Sequence, residues 1–159
     1  MIKAGIVGAT GYAGAELVRL LLQRDDVKIV GFGSKSFAGE SYSRIFRSMY
    51  KYADNICVND NVSELSKKAD IIFTATPQGF LAENINDEVL ANAKVIDLSA
   101  DFRIKDVDVY EKWYKLEHKA KGLIEGAVYG LPELYRKEIK KARLIANPGC
   151  YPTCSILSL

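Results

Sequence analysis

The sequence predicts an α/β domain with a doubly wound, mostly parallel sheet and helices on both faces. Apolar runs of strand length alternate with longer amphipathic stretches along the whole chain, which is the pattern of repeated strand–helix–strand units. No internal repeat, low-complexity tract or linker divides the 159 residues, so one domain is expected. The first strand runs directly into a glycine-rich turn and then a helix, which narrows the class to the Rossmann type.

Taken in order, Ile2–Val7 reads as a buried first strand. Residues 12–24 follow as a helix, with Ala13, Leu17, Leu20 and Leu21 spaced to share one face. Val27–Phe32 is a second strand. Residues 31–54, rich in Gly and Ser, read as a long loop with one helical turn. Residues 56–58 make a short strand and 62–68 a short helix. Strands at 71–75 and 94–98 are separated by a helix over about 79–92. Residues 106–121 are amphipathic and charged, which suits a surface helix. Leu144–Ala146 is the last strand. It leads into the turn Asn147-Pro148-Gly149, and a final helix begins near Cys150. Residues 155–159 are apolar and helix-compatible with no stop signal, so the chain reads as part of a longer protein.

Composition excludes several function classes. Lys and Arg number 22 against 20 Asp and Glu, a formal net charge of +2, too small to argue for nucleic acid or a membrane surface. No apolar run approaches the roughly 20 residues needed to span a bilayer, and no basic-then-apolar leader opens the chain. Three cysteines make no disulfide framework. A reducing, cytoplasmic setting is expected.

The turn Gly8-Ala9-Thr10-Gly11-Tyr12-Ala13-Gly14 has the spacing G-x-x-G-x-x-G. Glycines there let the backbone approach a pyrophosphate, and the following helix aims free N–H groups at it. This turn is therefore a candidate dinucleotide site. At the end of the second strand an NAD enzyme carries an acid for the ribose 2′-hydroxyl. Here Gly33-Ser34-Lys35-Ser36 carries none. Ser34, Lys35 and Ser36 offer two hydroxyls and a cation, which suits a 2′-phosphate and favours NADP(H). The alternative is a Gly-rich turn that only packs helix on sheet, beside an ordinary solvated loop.

Asn147-Pro148-Gly149-Cys150-Tyr151-Pro152-Thr153 is the second informative stretch. Pro148 stiffens the turn and Gly149 removes bulk beside the thiol. A cysteine at a helix N-terminus is favoured as thiolate, and the same N–H groups suit an oxyanion. A nucleophilic cysteine after a dinucleotide domain points to acyl transfer coupled to hydride transfer. The alternative is a small buried cysteine in a tight turn. Cys57 reads as core, and Cys154 as packed beneath the last helix. His118 stands among Glu117, Lys119 and Lys121 and reads as solvated. No cluster has metal-ligand spacing.

Four stretches together resemble the N-acetyl-gamma-glutamyl-phosphate reductase family of semialdehyde dehydrogenases. They are 8–17, Asp97-Leu-Ser-Ala-Asp-Phe-Arg103, Val128-Tyr-Gly-Leu-Pro-Glu-Leu134 and 147–153, in the family's order over nearly the whole chain. The glycine turn is shared with other semialdehyde dehydrogenases. The 97–103 and 147–153 stretches are far more specific.

The resemblance implies NADPH-dependent reduction of N-acetyl-glutamyl phosphate through a thioester on Cys150, a step of arginine biosynthesis. It implies an NADP-binding domain over 1–147 and, from 148–159, the start of a catalytic domain whose remainder carries the general base. It places Gly8, Thr10, Gly11, Tyr12 and Gly14 in the phosphate turn, Thr76 and Pro77 on the nicotinamide side, Arg103 and Asn147 near substrate, and Glu133 in site scaffolding. Arg103 has as its alternative a local ion pair with Asp101. A homo-oligomer is implied for the longer protein, and the 159 residues alone are expected to bind NADPH weakly without turnover. An aspartate-semialdehyde dehydrogenase is the nearest rival, against which the Pro148-Gly149 pair argues. A non-catalytic nucleotide-binding module, with Cys150 paired to Cys154, is the other.

Overall fold

The computed structural model describes residues 1–159. Its strands are β1 (Ile2–Val7), β2 (Val27–Phe32), β3 (Ile71–Thr74), β4 (Lys94–Asp97), β5 (Val128–Tyr129) and β6 (Leu144–Ala146). They form one six-stranded sheet in the order β2-β1-β3-β4-β6-β5, and every strand pair is parallel. The chain moves outward from β1 to β2, then crosses back over β1 to β3. That reversal opens a crevice at the carboxyl ends of β1 and β3, where such sheets hold ligands. The two strand ends are joined there by the Ala75 N–H, which donates to Val7 O at 2.9 Å.

Ile6 and Val7 are consecutive in β1, so they point to opposite faces of the sheet, and each enters a different core. Ile6 packs with Val18, Ile29, Phe32 and Tyr42 beneath α1 (Tyr12–Leu21) and α2 (Tyr42–Ile45). Val7 packs with Leu65, Ile72, Leu81, Val89, Val95 and Leu144, under α3 (Val62–Ser66), α4 (Phe80–Asn84) and α5 (Asp87–Asn92). Helices therefore cover both faces, as the sequence predicts. Burial of each such side chain is worth about 1.5–3 kcal/mol, so the two cores supply most of the drive to fold.

Several elements differ from the sequence expectation, each for a local reason. On α1 the buried residues are Gly14 and Val18, while Ala13 and Leu20 face solvent. Gly14 sets that rotation, because a β-carbon on it would collide with the Gly8 carbonyl oxygen. The helix expected over 79–92 is two helices. Ile85 is extended between them, and Asn86 caps α5 by accepting the Val89 N–H at 3.0 Å. The helix expected over 106–121 stops early. It is α6 (Val107–Tyr114), capped by Asp106 and ended by Lys115 in the left-handed region at φ 56°. Residues 56–58 form only isolated bridges, to Ser41 and Gly33. β5 and α7 (Pro132–Lys141) fall where no element was expected, although Pro132 at a helix start is a legible signal. The final helix, α8 (Cys150–Ser158), begins where the sequence puts it but buries no residue, so Cys154 is exposed rather than packed beneath it. Cys57 is buried as expected.

Asp97 ends β4 fully buried. It accepts hydrogen bonds from Thr74 Oγ1 (2.7 Å), Ser99 N (3.1 Å) and Ser99 Oγ (2.6 Å). Burial holds its carboxyl above the ordinary carboxylate range despite those donors.

Two predictions follow from these contacts. Gly14→Ala must push α1 off the glycine turn, and urea unfolding should show a loss of about 1–3 kcal/mol. Asp97 binds its proton more tightly in the folded state than in the unfolded chain. Its contribution to stability therefore falls as pH rises from the ordinary carboxylate range through its raised folded value. The stability difference between the wild type and Asp97→Asn, measured from pH 4 upward, should shift against the wild type with rising pH. A difference independent of pH would contradict this.

Candidate functional site

The glycine turn begins with Gly8 at φ +76°, a conformation that other residues rarely adopt. A β-carbon there would also strike the Ala75 carbonyl of the facing strand end. The turn is held from outside itself. Tyr42 OH donates to Ala9 O at 3.0 Å, and Thr10 Oγ1 and Ser34 Oγ share a 2.7 Å bond. The Asp60 carboxylate accepts the Gly8 N–H at 2.9 Å. Gly11 caps α1 without any side-chain bond, so the first N–H groups of the helix have no side-chain partner.

Between this turn and the loop after β3 lies a cleft of about 420 Å³. Gly8, Gly11, Lys35, Thr76 and Pro77 of the expected ligands line it, together with Asp60, Gln78 and Glu83. The Thr76 hydroxyl is buried without a hydrogen-bond partner. A bare backbone cradle, a free helix N-terminus, a cation and an unpartnered hydroxyl fit the diphosphate and sugar of a dinucleotide.

The remaining expected ligands lie elsewhere. Ser34 is buried, and its hydroxyl serves Thr10 and the Phe37 N–H, so it shapes the loop instead of facing a ligand. The buried run ends at Ser34 and the chain bends at Lys35, so Ser34 stays inside while Lys35 is exposed and lines the cleft. Ser36 and Tyr12 are exposed outside the cleft lining, and Gly14 serves helix packing.

The cysteine turn stands at the carboxyl end of β6. Asn147 N donates to Asp97 O at 2.8 Å, and Asn147 Nδ2 to Pro148 O at 3.1 Å. Cys150 is the exposed first residue of α8, and the Gly149 carbonyl accepts both the Thr153 N–H and the Thr153 hydroxyl. Arg103 straps this turn to β4. Its Nε donates to Asn147 O and its Nη2 to Leu98 O, both at 2.7 Å. The local Arg103–Asp101 ion pair is not formed.

Asp101 instead accepts from Gly79 N (2.8 Å), Ala82 N (3.2 Å) and Tyr110 OH (2.9 Å). It thereby caps α4 from another part of the chain and fixes the cleft loop that ends at Gly79. His118 is buried, which corrects the solvated reading. Its Nε2 meets Asp101 O at 2.7 Å, Nδ1 accepts the Ala120 N–H, and its ring stands edge-on to Phe102 and Tyr110. The left-handed Lys115 turns the chain inward after α6 and carries His118 into the core. Burial, with Asp101 as acceptor, pushes the Tyr110 phenol up, and burial pushes the Cys57 thiol up, away from reactivity. Glu133 is exposed in the first turn of α7.

Sequence reasoning missed Asp60 and His118 because their partners lie 52 and 17 residues away, and no motif spans those gaps. No group of three or more His, Cys, Asp or Glu is placed to hold a metal ion. No helix is long and apolar enough to cross a membrane.

Comparison with known proteins agrees with this geometry. The family described as semialdehyde dehydrogenase, NAD binding domain, matches residues 3–142. An N-acetyl-gamma-glutamyl-phosphate reductase of Lachnoclostridium phytofermentans is 57% identical over 159 residues, all of this chain and 46% of that protein. One of Lachnospira eligens is 59% identical over 160 residues, with the same coverage. The chain thus spans about half the length of the curated relatives it matches. Among solved structures, aspartate semialdehyde dehydrogenase II of Vibrio cholerae, complexed with ASA, aligns with all of this chain and 45% of its own. It does so at a TM-score of 0.66 and 20% identity, which shows the shared fold. The chain belongs to the semialdehyde dehydrogenase family, as its NAD-binding domain.

Proposed function

We propose that this chain supplies the nucleotide-binding half and the nucleophile of an NADPH-dependent N-acetyl-gamma-glutamyl-phosphate reductase acting in arginine biosynthesis. The supporting observation is that the glycine turn, the Thr76 loop and the Cys150 turn all stand at the carboxyl edge of one sheet. The Asp97–Arg103 segment ties the last two of them together. In this reading residues 1–147 hold the cofactor and 148–159 open the catalytic part, whose general base and remaining substrate contacts lie outside these residues. The longer protein is read as a cytoplasmic homo-oligomer acting on a small molecule, with no nucleic acid or membrane partner.

Gly8, Gly11 and the α1 N-terminus would hold the diphosphate, Lys35 the 2′-phosphate, and Thr76 and Pro77 the nicotinamide side. Bound NADPH supplies hydride. Cys150 Sγ attacks the acyl carbonyl of N-acetyl-glutamyl phosphate. The carbon–oxygen bond to phosphate breaks, inorganic phosphate leaves, and a thioester remains on Cys150. The N–H groups at the start of α8 receive the oxyanion that forms on the way. Reduction of the thioester and loss of the thiol regenerate Cys150 and release N-acetylglutamate semialdehyde. Arg103 spends Nε on the cysteine turn and Nη2 on Leu98 O, which leaves Nη1 for a substrate carboxylate or phosphate. Asn147 holds the turn beside it.

The nucleophile can be tested on the chain as it stands. Cys150 and Cys154 share one exposed helix, yet only Cys150 sits at its N-terminus. Iodoacetamide at neutral pH, read by mass spectrometry, should label Cys150 first, and equal rates would count against its activation. For the reaction, the chain should be joined to the C-terminal half of the Lachnoclostridium relative. It is then given N-acetylglutamate semialdehyde, phosphate and NADP⁺. Phosphate-dependent absorbance of the reduced cofactor is expected, weaker with NAD⁺, lost in Cys150→Ser, and lacking in the 159 residues alone. A signal only with aspartate semialdehyde would move the assignment to that enzyme.

A further inference from the structure

Gly33-Ser34-Lys35-Ser36, directly after β2, carries no acid in sequence, but the fold brings one from further along the chain to the same cleft. Val58 bridges Gly33 in parallel, beyond β2, and so extends the sheet edge by one short step. Two residues later Asp60 reaches back to the glycine turn. Its Oδ1 accepts the Gly8 N–H at 2.9 Å, and its side chain lines the cleft that Gly8, Gly11 and Lys35 also line. The approach depends on Gly33, because a β-carbon there would lie 2.7 Å from Asp60 Oδ1. The second carboxylate oxygen has no protein hydrogen bond among the contacts of Asp60. An anion held against the first glycine and a cation therefore line the same cleft.

We infer that Asp60 is a specificity-determining residue for the dinucleotide, which opposes Lys35 and limits the preference for a 2′-phosphate over a 2′-hydroxyl. The inference rests on the nucleotide reading proposed above. A ribose hydroxyl can donate to a carboxylate, whereas a phosphate is acceptor-only and repelled by it. Lys35 acts in the opposite sense, attracting the phosphate and giving a hydroxyl little. The cleft is partly open to water, so solvent screens both effects and each is modest.

The test titrates the purified chain with NADPH and with NADH, following cofactor fluorescence, and repeats both titrations with Asp60→Asn. Asn keeps an oxygen to accept the Gly8 N–H but loses the charge, so its melting temperature should match the wild type. If it does not fold, Asp60→Ser is read in the same way. The expected result is an NADPH-to-NADH affinity ratio raised by about tenfold, from tighter NADPH and weaker NADH. An unchanged ratio, with both cofactors bound, overturns the role of Asp60 and leaves the nucleotide reading intact. Failure of the wild type to bind either cofactor overturns both.

Discussion

A buried carboxylate at the end of β4 sets the geometry on which the site depends. Asp97 takes its donors from β3 and from the first turn beyond its own strand. This fixes both the alignment of the two strand ends and the direction in which the chain leaves the sheet. Residues 99–103 follow a path with little freedom, held by the polar side chains along it. Ser99 closes on Asp97, Asp101 caps α4, and Arg103 straps the cysteine turn. Orphaning any one buried partner would cost about 1–3 kcal/mol. Positional precision at the cleft and at Cys150 therefore derives from the same short segment.

The opposite side of the crevice is built on close approach instead of charge. Gly8 and Gly14 let the turn and α1 press against the β3 end and against each other. Tyr42, at the start of α2, then holds the turn at Ala9 O, and Ser34, in the loop after β2, holds it at the Thr10 hydroxyl. The result is a backbone surface with free N–H groups, stiff before any ligand arrives. Stiffness of this kind lowers the ordering cost of binding. Lys105 does comparable work at the far side. Its ammonium donates to the carbonyls of Ile124, Glu125 and Ala127 at 2.6–2.8 Å, and so pins an irregular segment that has few bonds of its own.

Much of this was legible in the residues. Strand-length apolar runs placed five of the six strands, because a parallel strand buried on both faces must be apolar almost throughout. The glycine spacing located the crevice, and Asn147-Pro148-Gly149 placed the start of α8. Helix ends were read less well where a short polar residue competed with the helix, as Asn86 does between α4 and α5. β5 escaped notice because two residues carry no periodicity. His118 was misread because charged neighbours in sequence say nothing of what lies beneath a chain that turns at Lys115.

The sequence by itself determined the α/β class, the strand order's raw material, the glycine turn and the cysteine turn. Each of these is written in local spacing or in uninterrupted hydrophobicity. Only the tertiary structure decided that Ser34 turns inward while Lys35 faces the cleft, that Asp60 meets Gly8, and that Arg103 serves Asn147 instead of Asp101. Those pairings join residues from about 24 to 52 positions apart, or choose between near neighbours of equal chemistry. The choice is made by which carbonyls and amides the packed sheet leaves without partners at its carboxyl edge.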